Sequence, residues 1–258
     1  MGSLGDRMKG NYEDITRIKL PRRTFTIIRL DGRSFSKFCK RFKKPFDDDF
    51  VRMMNETAKY LCENIQGCKI GFVQSDEISL VLTDFDELST TPWFDGTIQK
   101  IASISASFAS TKFLQLLFDY QFAMMESVIE PKNIKIMSIP EVRKIIMSQK
   151  LLEFDSRCYT IAERSEVLNT LLWRQQDCSR NSISMVAQSL YSHKELEKKN
   201  NSEKQELIFQ KGQNWDKYPV GVKRGRVILR GEEGKWKIVE PPIFSQEWDF
   251  LNIIPNYQ

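Results

Sequence analysis

"KIGFVQSDEISLVL", residues 69–82, places two short apolar runs around the polar tetrad Gln74-Ser75-Asp76-Glu77. Two runs rich in β-branched and aromatic residues, separated by a polar turn, read as a β-hairpin. Upstream, TFTIIRL (24–30) ends at Asp31-Gly32 and predicts a buried strand that leads into a turn. Between these segments, Phe35, Phe38 and Cys39 follow helical spacing within 33–41. Residues 47–65 read as a longer helix with Phe50, Met53, Met54, Thr57, Leu61 and Ile65 on one side. Downstream, 95–120 carries Ile101, Ile104, Phe108 and small residues at near-helical spacing, as suits a helix packed closely on a sheet. Strand, helices, hairpin and helix together predict an α/β sandwich.

The rest of the chain is less regular. Met124, Met125, Pro131 and Pro140 interrupt any clean period, so 121–150 reads as an insertion with partial helix. Residues 165–191 predict one or two helices, followed by a polar lysine- and glutamate-rich span to about 206. VILRGEEGKWKIVEPPIF (227–244) predicts a second hairpin with Glu232-Glu233-Gly234 at its tip.

Composition narrows the chemistry. The 258 residues, 41% hydrophobic, suffice for one sizeable core. Five cysteines without a C-x-x-C spacing indicate neither a disulfide framework nor a zinc cluster. The single histidine, His193, lies in the polar stretch YSHKELEKK, which disfavours a His-dependent triad. MGSLGDRMKG has no apolar leader and no myristoylation pattern, and no run approaches ~18 uninterrupted apolar residues. The expectation is a cytoplasmic protein with no membrane partner. Charge is uneven: Leu20–Lys44 holds nine cations against Asp31, and Lys211–Arg230 holds six against Asp216. Two basic surfaces suggest a polyanion partner.

If strand 24–31 lies beside the hairpin, Asp31 approaches Asp76 and Glu77 at one end of the sheet. Carboxylates held together repel unless they share a proton, an arginine clamp or divalent metal. Beside a basic surface, Mg²⁺ answers the problem, since it takes carboxylate and carbonyl oxygens and keeps positions for phosphates. Asp31, Asp76 and Glu77 are therefore the candidate catalytic acids. Successive residues of an extended chain face opposite ways, which favours Asp76 over Glu77 as the metal-facing one. Against this stand two plainer readings: Asp-Gly is a common turn dipeptide, and Ser75-Asp76-Glu77 suits a solvated hairpin tip. The amides of Arg33, Ser34 and Phe35 would open a helix toward a bound anion. Lys44 would reach the same phosphates, while Asp47 could accept from a base or cap the following helix.

Several motifs in order carry a family resemblance: L-D-G-R-S-F (30–35), K-P-F-D (44–47), G-F-V-Q-S-D-E-I-S (71–79), S-A-S-F-A-S (105–110), F-D-S-R (154–157), L-W-R-Q-Q-D-C (172–178) and Y-P-V-G-V-K-R-G (218–225). The chain resembles the tRNA(His) guanylyltransferase family over most of its length, 121–150 being the main region outside. The resemblance implies a polymerase-like palm domain, an antiparallel sheet flanked by helices, with additional C-terminal helices and a hairpin. Residues 1–120 would form the catalytic palm core, and 151–258 the remainder of the palm plus a tRNA-contacting region. It further implies addition of nucleotides to the 5′ end of tRNA, with ATP, GTP and tRNA as partners and a homodimer or homotetramer as the assembly. Two Mg²⁺ would be held by Asp31, the carbonyl of Gly32 and Asp76. Asp31, Gly32, Arg33, Ser34, Phe35 and Ser36, with Ser75 and Asp76, would line the nucleotide site. Lys44 and Lys100 would meet phosphate, and Asp47 the base. Arg174, Arg180 and Asn181 would contact the tRNA 5′ end, and Lys211, Lys223, Arg224 and Arg226 its backbone.

Eukaryotic members that add the extra guanosine at position −1 carry H-I-N-N-L-Y-N after the W-R-Q-x-D-C segment, whereas this chain reads Ser179-Arg180-Asn181-Ser182-Ile183-Ser184-Met185. It is thus similar to the guanylyltransferase-like branch, template-dependent 3′-to-5′ polymerases that repair 5′-truncated tRNAs, with G−1 addition as an additional activity. Two other classes share features of this reading: a palm-type nucleotide cyclase, and a non-catalytic RNA-binding palm.

Overall fold

The computed structural model describes residues 2–128 and 151–247, with 250, 252 and 254. Its centre is a six-stranded antiparallel sheet in the order β4-β1-β3-β2-β5-β6. The strands are β1 (Phe25–Gly32), β2 (Cys68–Gln74), β3 (Glu77–Leu82), β4 (Phe154–Ile161), β5 (Arg226–Arg230) and β6 (Trp236–Val239). The predicted hairpin is β2–β3, joined by Ser75-Asp76, and it pairs directly with β1 so that Asp31 lies opposite Glu77. The second hairpin is β5–β6, with the three predicted tip residues between its strands.

Both faces of the sheet are covered, which explains the continuous apolar reading of 24–30. Ile28 and Leu30 enter one core with Met53, Met54 and Leu61 of α3 (Asp48–Asn64) and Phe113 and Leu117 of α4 (Ile98–Val128). Phe25 and Ile27 enter the other with Val167, Leu168 and Leu171 of α5 (Arg164–Leu190). The C-terminal half of α5 runs on to pack with α6 (His193–Leu196) and α7 (Asn201–Gln210) through Ile183, Val186, Ala187, Leu196 and Ile208.

Local chemistry sets these elements. Asp47 caps α3, its Oδ1 accepting from the amides of Asp49 and Phe50 at 3.0 Å each, and Asp48 and Asp49 suit the positive end of the helix dipole. Small residues let α4 lie close on β4. Ser105 Oγ lies 2.7 Å from Ser156 Oγ, and Ser110 Oγ accepts from the Phe154 amide at 3.0 Å. Over Ile98–Met124, α4 is long and apolar enough to cross a membrane by length and composition; here it is a layer of the sheet sandwich.

Some boundaries differ from expectation. The helix read at 33–41 is one turn, α2 (Phe35–Phe38), continued by a 3₁₀ turn over Cys39–Arg41. Residues 121–128, assigned to the insertion, extend α4, while 129–150 lie outside the described residues. Residues 165–191 form a single helix. Before the sheet, a short arm begins with α1 (Leu4–Met8) and buries none of its residues.

Candidate active site

The sheet brings the first two acids to one end. Gly32 N–H donates to the Asp76 carbonyl at 3.1 Å, which ties the end of β1 to the β2–β3 turn. Asp31 shares the α5-facing side of β1 with Ile27 and Arg29. It stands in a row between Glu77 of β3 and Asp155 of β4, with Ser79, Arg29 and Arg157 in the next row. The Asp31 carboxyl is held above the usual range, first by burial and next by the Asp155 charge. Burial likewise raises Asp76, with the charges of Asp31 and Glu77 adding to it. Among the described residues, neither Asp31 nor Asp76 forms an ion pair, although Arg29, Arg157 and Arg174 stand near Asp31.

Beside Asp76 opens a cavity of about 500 Å³ between the α2–α3 segment, the hairpin turn and the C-terminal half of α5. Of the predicted nucleotide residues it takes Phe35, Ser36, Lys44, Asp47, Ser75 and Asp76; Asp31, Gly32, Arg33 and Ser34 do not line it. Phe42, Phe46, Phe50 and Met185 give it an apolar wall, and Lys40, Lys43 and Lys44 are exposed cations along its lining. Its thiols are poor nucleophiles: burial pushes Cys39 and Cys178 each up to about 12.

The structure corrects several sequence assignments. Arg33 gives its amide to the Glu153 carbonyl at 2.8 Å and its side chain to the Glu153 carboxylate at 2.7 Å. That engages the first of the three amides read as an anion cradle at 33–35, and α2 behind them is only four residues long. Ser34 sits in the left-handed region at φ 60° and makes no side-chain cap. Asp47, weighed as a base acceptor or a helix cap, does cap α3, its carboxylate accepting the amides of Asp49, Phe50 and Lys43, and it also lines the cavity. Lys100 is at the wrong end of α4. The Ile98 carbonyl contacts Cys158 while Ser110 contacts Phe154, which pairs with Gly32, so Lys100 stands about 15 Å along the helix from the site.

Glu77, counted among the catalytic acids, is engaged by Arg174 Nη1 at 2.9 Å and by Gln74 Nε2 at 3.1 Å. Arg174, expected to touch tRNA, is buried between Glu77 and Asp177. Arg180 is exposed and paired to Asp177, and Asn181 donates to Asp177 at 3.3 Å while lining the cavity. The basic run 211–230 is not one surface. Lys223 is buried against Asp216 and the Trp215 ring, and Arg226 is buried at the cavity; Lys211 lies over Tyr191, and Arg224 is half-buried at the end of α8 (Val220–Arg224).

Sequence reasoning missed Asp155 in the carboxylate row and the α5 contribution of Met185 and Gln188. F-D-S-R alternates acid and base along an edge strand and reads as solvated, so only its strand partner reveals Asp155.

A model of the family described as tRNAHis guanylyltransferase matches residues 5–162, more than half the chain and the segment that holds both acids. The chain belongs to the tRNA(His) guanylyltransferase family. A bacterial tRNA(His) guanylyltransferase-like protein solved in complex with ATP superposes with a TM-score of 0.82 at 39% identity, covering 98% of this chain and 100% of that one. Another structure titled as such a protein, in complex with GTP, gives 0.74 at 36%, with the same coverage. The Saccharomyces cerevisiae tRNA(His) guanylyltransferase is 26% identical over 81% of this chain and 84% of its own length. An uncharacterised protein of Acanthamoeba polyphaga mimivirus is 30% identical over 98% and 86%. As a member of the family the chain is a nucleotidyltransferase on the palm-like fold, and tRNA is the substrate the family implies.

Proposed function

We propose that this enzyme extends the 5′ end of tRNA in the 3′-to-5′ direction, choosing each nucleotide by pairing with the opposite strand of the acceptor stem. Repair of 5′-truncated tRNAs is its main task and G−1 addition to tRNA(His) an additional one. The observation that carries this reading is the joining of Asp31 and Asp76 at one sheet end, beside a cavity sized for a nucleotide and lined with exposed lysines.

Divalent metal fits the donor set: two carboxylates raised by burial, repelling and without ion-pair partners among the described residues. Asp31, Asp76 and the Gly32 carbonyl would hold two Mg²⁺. When bound, such ions activate an attacking hydroxyl and stabilise departing pyrophosphate. The protein's own groups do the rest. Phe42, Phe46 and Phe50 shield a base from water, and Lys44 steadies the polyphosphate as a point charge. Arg174 pairs with Glu77 and so tempers the charge that Glu77 presses on Asp76. Because pairing supplies sequence choice, the RNA need only be gripped by shape and backbone, through Lys40, Lys43, Arg180, Lys211 and Arg224. Homodimers or homotetramers in the cytoplasm complete the proposal.

The test is nucleotide addition to 5′-truncated tRNA with labelled nucleotides. Asp31→Ala and Asp76→Ala should each abolish addition while tRNA binding survives, and retained addition would refute the assignment. Faster extension of full-length tRNA(His) than of truncated tRNA would refute the repair reading.

A further inference from the structure

Arg226 is a buried cation that the mechanism above leaves without a task. Only 6% of it is exposed, and it lines the cavity next to the Gln74-Ser75-Asp76 turn, because β5 pairs with β2 so that Arg226 lies opposite Val73. Its guanidinium donates Nε to Asn55 Oδ1 at 2.8 Å and Nη1 to the Gly221 carbonyl at 2.7 Å, while Nη2 is buried without an acceptor. Both acceptors are neutral, and no acid forms an ion pair with it among the described residues. Its one titratable neighbour of consequence is Cys178, a thiol pushed up to about 12 and therefore uncharged; burial lowers Arg226 itself to about 10. The cavity wall thus carries a buried guanidinium with no ion-pair partner among the described residues.

A buried, unpaired cation is costly and is normally matched by a counter-ion. Hydrogen bonding to Asn55 and Gly221 explains the geometry but not the charge. A neutral base would supply acceptors without charge, whereas a phosphate supplies both. The turn beside Arg226 also bears Asp76, so phosphates held at that acid's metal would lie on the Arg226 side of the cavity.

We propose that the phosphates of the bound nucleoside triphosphate are the missing counter-charge of Arg226, making it a phosphate-binding residue of this cavity rather than a contact to the RNA backbone. The assignment rests on the cavity being the nucleotide site. Arg226 then discriminates by charge: affinity should climb steeply from nucleoside to triphosphate, beyond what the exposed lysines alone provide.

The experiment is calorimetric titration of the full chain, with Mg²⁺, by adenosine, AMP, ADP and ATP, for wild type, Arg226→Gln and Arg226→Lys. Arg226→Gln should lose at least tenfold in ATP affinity and less than threefold in adenosine affinity, with ADP and AMP between. Arg226→Lys, which keeps the charge, should hold the wild-type ratio of ATP to adenosine affinity within threefold. Equal losses for all four ligands, or none, would reduce Arg226 to a packing strut and overturn the proposal. If Arg226→Gln does not fold, Arg226→Met, which also removes the charge and keeps most of the apolar stem, takes its place with the same supporting and overturning outcomes. Failure of wild type to bind ATP would instead overturn the nucleotide reading of the cavity, and this proposal with it. Retained tRNA binding by Arg226→Gln is expected, and a selective loss of it would return Arg226 to the RNA.

Discussion

Arg174→Met separates a structural role from an RNA contact more sharply than any other change. The Arg174 side chain is 6% exposed, and its partners Glu77 and Asp177 are 14% and 17% exposed, with Nη1 2.9 and 3.4 Å from their carboxylates. Removing the cation leaves two largely buried acids without their common partner, although Asp177 keeps the exposed Arg180. Breaking a buried pair in this way costs about 3–5 kcal/mol. For a chain of this size each kcal/mol corresponds to roughly 2–4 °C, so the melting temperature should fall by roughly 6–20 °C. Adding Glu77→Gln removes one orphaned charge, so the double variant should recover about 1–3 kcal/mol relative to additivity. Urea unfolding of the four proteins in the cycle, followed by circular dichroism, measures both quantities. A loss under about 1 kcal/mol, the range of exposed pairs, would refute the buried-network account. So would an unchanged melt accompanied by weakened tRNA binding.

Asp76→Asn should stabilise the metal-free protein at pH 7 by on the order of 1 kcal/mol while abolishing nucleotide addition, since a site strained for function loses its repulsion. The sign follows from its raised pKa: a carboxyl that binds its proton more tightly in the fold loses stability as pH rises from the ordinary value through the raised one. The gain over wild type in thermal denaturation should therefore shrink in acid and vanish below both values. Gly32→Ala brings a Cβ within 2.5 Å of the buried Phe35 ring, which packs against Phe38, Phe113 and Phe154. A loss of about 1–3 kcal/mol is expected, read by urea unfolding. Lys44→Ala should raise the KM for nucleotide several-fold without changing the melt, whereas Lys100→Ala should leave nucleotide kinetics at wild-type values.

The fold was legible where both faces of an element are buried. Residues 24–30 and 69–82 have no other plausible home, and the Asp-Gly step and Ser-Asp turn mark where they stop. The pairing of Asp31 with Asp76 followed from placing that strand beside that hairpin. What escaped was anything set by partners far along the chain. Counting six cations over 211–230 says nothing about Lys223 folding back on Asp216 or Arg226 reaching Asn55 on α3. The spacing of Lys100 from the strand could not reveal which end of α4 meets Gly32, because that direction is fixed where Ser105 and Ser110 of α4 meet Ser156 and Phe154 of β4.

The strand order has a practical consequence. The segment that the family model matches ends at residue 162, yet β2 is completed by β5, a strand from more than sixty residues later. Cutting the chain at residue 162 would leave the backbone of Ile70, Gly71, Phe72 and Val73 as a bare apolar edge, a template for intermolecular pairing. A minimal soluble version must keep 226–230 even though the acids of the site lie far earlier.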